Sequence, residues 1–124
     1  MIAVVAHIEA VLKVQKLIPI WEDDDTEQAP SSLMSKALVV IASSNTDQQA
    51  NAFYDDLSAS IKIHHNDARK ALAKVEDIRK SLTTLETTGV CGVVFNGLDI
   101  GENSYIEKMK SYKLNFQIKT ISAR

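Results

Sequence analysis

Hydrophobic positions recur along the chain with two different periods, and those periods predict its elements. Over residues 1–18, Val5, Ile8 and Leu12 fall at spacings of three and four, and Ile2, Val4 and Val11 widen the stripe. Glu9, Lys13, Gln15 and Lys16 fall on the other side, so a helix is expected there. Pro19 should stop it, because proline forces the residue before it out of the helical region. Ile18-Pro19-Ile20-Trp21 then reads as a short extended segment, and Glu22 to Ser32 as a loop broken by Pro30. Lys36 to Ala42 is short and β-branched and predicts a buried strand, with a polar loop from Ser43 to Gln49.

Residues 55–65 alternate. Leu57, Ala59, Ile61 and Ile63 share one face, and Ser58, Ser60, Lys62 and His64 share the other, which predicts a strand with one wet face. Residues 67–86 return to the helical period. Ala68, Ala71, Leu72, Val75, Ile78, Leu82 and Leu85 make the apolar stripe, with Asn66 or Asp67 as the cap and Gly89 as the stop. Val90 to Phe95 predicts a strand, and Asn96 to Asn103 a turn-rich stretch. Near 109–121, Tyr112, Leu114, Phe116 and Ile118 alternate with Lys113, Asn115, Gln117 and Lys119. The order helix, strands, helix, strands implies an α+β fold: a largely antiparallel sheet with an N-terminal helix and one long helix packed on one face.

Composition narrows the function classes. At 124 residues the chain has the length of one domain, 1–124, able to bury a core without staples. Cys91 is the lone cysteine, so no internal disulfide can form, which fits a reducing compartment. The apolar stretch from Met1 to Leu12 is interrupted by His7 and Glu9, and its lysines follow rather than precede it; residues 1–18 are therefore expected to belong to the fold, with no membrane partner. The net charge is −2, against binding nucleic acid by bulk electrostatics. It is unevenly spread: residues 1–62 hold nine acids and four bases, residues 63–124 seven acids and ten bases, so −5 against +3.

Candidate chemistry is sparse. A calcium loop begun at Asp23 would need glycine sixth and glutamate twelfth, where the chain has Gln28 and Met34. The acidic run Glu22, Asp23, Asp24, Asp25 and Glu27 therefore reads as a solvated loop. His64 and His65 are strand neighbours pointing opposite ways, a poor metal pair, and His7 stands by itself on the first helix. Cys91, between Val90 and Gly92, reads as buried strand rather than nucleophile. Asp55, Asp56 and Lys62 lack the acid-x-lysine spacing of a metal-dependent nuclease strand. The glycines at 89, 92, 97 and 101 fit neither the phosphate-loop nor the dinucleotide spacing. No catalytic, cofactor-binding or metal residue is assigned, no cofactor is expected, and the chain is not read as an enzyme. Trp21 is placed equally well in the core or at an interface.

One resemblance spans nearly the whole chain. An amphipathic helix leads to Ile18-Pro19-Ile20-Trp21 and an exposed loop. A strand ending Ile61-Lys62-Ile63 precedes Asn66-Asp67-Ala68-Arg69-Lys70-Ala71, which opens a long helix ending Ile78-Arg79-Lys80-Ser81-Leu82. Tyr112-Lys113-Leu114-Asn115-Phe116-Gln117-Ile118 closes the pattern. This order resembles the tail terminator (tail completion, or minor capsid) proteins of long-tailed bacteriophages. The resemblance implies a structural virion protein located in the tail and assembled in the host cytoplasm. It implies a homo-oligomeric, six-membered ring that caps the tail tube protein, joins head-neck connector proteins, and lets DNA pass without reading its sequence. The expected interface residues are Trp21, Glu22, Asp23, Asp24, Asp25, Lys113 and Lys119. The alternatives are another ring protein of the phage neck, tail or baseplate, a small α+β ligand-binding or regulatory module, and a small hydrolase or nuclease.

Overall fold

The computed structural model describes residues 2–21, 34–43, 54–102 and 109–121. Among the described residues, two helices, α1 (Ile2–Val14) and α2 (Ala68–Thr84), accompany five strands: β1 (Ile18–Ile20), β2 (Lys36–Ser43), β3 (Tyr54–His65), β4 (Val90–Glu102) and β5 (Lys110–Ile121). The sheet order is β1-β2-β3-β5-β4. Only β1 and β2 run parallel; the other neighbours are antiparallel, which establishes the α+β class.

The inner face of the sheet carries the core. Ile61 pairs with Val39 on one side and Leu114 on the other; Ala59 likewise lies opposite Phe116, and Ile63 opposite Tyr112. Val4, Ile8, Val11 and Leu12 of α1 and Ala71, Val75, Ile78 and Leu82 of α2 bury against this face. Both helices therefore cover one side, and the strict alternation of β5 follows from that one-sided cover. The α1 stripe turns out to centre on Val4, Ile8 and Val11, with Val5 half-buried.

Four local expectations need correction. First, α1 ends at Val14, before Pro19 can act. Lys16 adopts φ 60, and the Leu17 N–H donates to the Leu12 carbonyl at 2.9 Å while the Lys16 N–H donates to Lys13 at 3.0 Å. Those paired bonds satisfy the terminal carbonyls with lysine in the place glycine usually takes. Second, α2 ends at an extended Leu85 cap. Gly89 serves the next turn instead, at φ 95, where an added Cβ would lie 3.1 Å from Ala3 Cβ of α1. Third, the stretch 96–103, read as turns, holds the second half of a continuous β4 up to Glu102. Leu98 and Ile100 pair with Leu114 and Tyr112, and bulges at Val90/Gly92 and Phe95/Gly97 absorb the glycines. Fourth, the outer face of β3 is not wet throughout: Ser60 and His64 are buried. As the central strand, β3 has side chains of β2 and β5 flanking it on both faces.

Candidate functional site

The residues expected at an interface fall into three groups. Trp21 follows β1, is half-buried, and packs against the edge of the core. Glu22, Asp23, Asp24 and Asp25 lie outside the described residues, as do the stretches 22–32 and 44–49 that the sequence predicts to be loops. Lys113 and Lys119 are exposed on the outer face of β5. There they stand in rows across the sheet: Lys113 lies between Lys62 and Asp99, and Lys119 between Asp56 and Gly92. The Asn115 amide donates to Asp99 Oδ2 at 2.9 Å, tying β5 to β4 in the middle of that face. The same face turns apolar toward β1 and β2, where Ile18 and Val40 are exposed.

Among the described residues, no three His, Cys, Asp or Glu side chains come together in a way that could hold a metal. Asp56 and Lys62 share a face of β3 but are six residues apart, about 20 Å along a strand. Cys91 is exposed rather than buried, a correction to the sequence reading, because β4 lies at the sheet edge. The depression beside Cys91 is lined by Thr83, Glu86, Thr87 and Thr88, and no histidine lines it.

The histidines are structural or local. His7, on α1, is buried on the same side of the helix as Val4, Ile8 and Val11. Its Nε2 donates to the Leu82 carbonyl at 2.8 Å, which leaves Nδ1 to accept from the Thr87 hydroxyl at 2.7 Å. One side chain thus fastens α1 to the end of α2 and to the turn before β4. His65 closes β3, where its Nδ1 accepts the Asp67 N–H at 3.0 Å. Its pKa is lowered, first by burial and then by Lys74, against the opposing pull of Asp67.

Among the described residues, a groove of about 610 Å³ lies between α2 and β4. Leu72, Val75, Phe95 and Leu98 make it apolar, and Glu76 and Arg79 line it too. The Arg79 guanidinium sits 5.0 Å over the Phe95 ring and 3.5 Å from Glu76. Leu72 was expected in the core. It is 44% exposed because it lies one residue off the Ala71–Val75–Ile78–Leu82 stripe, turned toward this groove.

No protein-family model matches the chain, and no curated protein matches it. Solved structures do. A chain of the virion of a native gene transfer agent (GTA) particle aligns over 93% of this chain and 84% of its own, at TM-score 0.53 and 14% identity. The likeness is one of fold. A second solved chain, whose name states no activity, reaches TM-score 0.50 at 12% identity, over 98% of this chain and 92% of its own. A protein from Akkermansia muciniphila is more distant, at TM-score 0.49 and 9% identity, with 95% and 75% covered.

Proposed function

We propose that this chain is a structural protein of a phage-like virion, a tail-terminator-type subunit that closes a ring between tail tube and head neck. The observation that carries the proposal is the fold shared with a gene transfer agent virion chain over 93% of the present one. The unequal charge of the two halves, −5 and +3, suits a head-to-tail contact in which each subunit presents opposite signs to its two neighbours. In this reading the work is done by surfaces rather than by catalytic groups, no cofactor takes part, and the partners are further copies and other virion proteins. Electron micrographs of the purified protein test it. Annular particles with an open bore support the ring; a field of compact single subunits, with no rings even when tail tubes are supplied, argues for the smaller binding-module reading, to which the groove beside β4 would then belong.

A further inference from the structure

We infer that β4 is a self-complementary docking edge, which pairs antiparallel with β4 of a second copy. The two edges of the sheet are built differently. At β1 the Ile18 N–H donates inward to the Ser35 carbonyl, so Ile18 and Ile20 turn their backbone groups toward β2, and the outward position belongs to Pro19, which has no N–H. That edge is three residues long and closed to further pairing. At β4 the edge is 13 residues long, with no lysine, arginine or proline to blunt it. Among the described residues β4 is hydrogen-bonded on its β5 side only. Val94 is 62% exposed and Ile100 55% exposed, and an added Cβ at Gly92 or Gly97 would meet nothing within 4 Å.

The occupant follows from the pattern of the strand. The pairing with β5 puts Val93, Phe95, Leu98 and Ile100 on the inner face, and Gly92, Val94, Asp99 and Gly101 on the outer face. The Phe95/Gly97 bulge shifts the alternation by one residue. That shift makes the strand read the same in both directions about a point between Asn96 and Gly97. An antiparallel second copy centred there sets Phe95 opposite Leu98 and Val93 opposite Ile100, all on the helix-covered side. On the outer side it sets Val94 opposite Asp99 and Gly92 opposite Gly101. The acids of each strand, Asp99 and Glu102, both lie toward its C-terminal end, so this arrangement sets them against Val94 and Cys91 of the other copy and never against each other. A parallel pair would align like charges. The Leu72–Phe95–Leu98 groove lies along the same edge and would be covered by the added strand.

The contact is independent of ring closure. It forms a simple pair where head-to-tail contacts do not close, and joins two rings face to face where they do. Residues directly opposite in an antiparallel pair have Cα atoms about 4.5–5.5 Å apart, within the reach of a disulfide. The test is therefore Val94→Cys with Asp99→Cys in a Cys91→Ser background, exposed positions too far apart within one strand to bridge, about 16 Å. Mild oxidation in dilute solution should give a covalent dimer on a non-reducing gel, and neither single cysteine should do so as readily. No dimer, or equal cross-linking by the single-cysteine chains, overturns the inference. Ile100→Lys should halve the native mass with an unchanged circular dichroism spectrum; an unchanged mass in the folded variant also overturns it. Failure here leaves the ring untouched, because ring closure is read from the subunit count of the wild-type protein.

Discussion

Single side chains join the elements of this fold at points that sequence spacing does not reveal. His7 is the clearest case, since its two hydrogen-bond partners are 75 and 80 residues away. The available signal was its place on the same turn as Val4, Ile8 and Val11, which marked it as inward-facing but could not name a partner. Replacing His7 with alanine leaves the Leu82 carbonyl and the Thr87 hydroxyl without it, and an unsatisfied buried polar group costs about 1–3 kcal/mol. Chemical denaturation should show a loss of that size, with α1 the first element to lose amide protection. His65 gives the fold a pH dependence. Its folded pKa lies below its unfolded value, so the fold binds it best neutral. That contribution is intact above the unfolded pKa of about 6.5 and declines as the pH falls through it toward the folded value. Protonating Nδ1 also removes the acceptor for the Asp67 N–H. Melting temperatures at pH 7.5 and pH 5.5 should therefore differ more for the wild type than for His65→Asn; an equal difference would assign the acid sensitivity elsewhere.

At the scale of elements, the helix α2 separates core from surface along one stripe. Leu82→Ala removes a fully enclosed side chain and should cost about 2–5 kcal/mol, whereas Leu72→Ala, at a half-open position, should cost less than about 1 kcal/mol. A thermal melt of each variant checks the contrast. The period of hydrophobic residues sufficed to place α2, β3 and β5, because each has one face under continuous cover. It misplaced Leu72, since a seven-residue stripe is wider than the four positions the sheet actually meets. It also cut β4 short at Phe95, because Asn96, Gly97 and Gly101 imitate a turn although they lie within a bulged strand. The acidic run Glu22 to Glu27 was plain in composition, yet no periodicity tells what a run of charges touches. The exposure of Cys91 has a different origin: a strand's place at the edge of a sheet is set by topology, which is non-local.

At the scale of the whole molecule, the sheet has one face committed to the core and another left to mixed character. The β5 side of the outer face is polar, with Lys113 and Lys119, and the β1–β2 side is apolar where Ile18 and Val40 are exposed. In the ring reading this face meets a neighbour or lines the bore. Lys113→Glu with Lys119→Glu should leave the melting temperature within a few degrees, as exposed substitutions usually do, and should lower the subunit count if the face is an interface. A count unchanged by both reversals makes it ordinary surface. The central claim, a surface-acting subunit of a closed ring, is tested most directly by native mass spectrometry of the wild-type protein over a range of concentrations. Assemblies in steps of six subunits are expected, one ring or two joined through β4; monomers and dimers alone at every concentration, with or without tail tubes present, would contradict the ring.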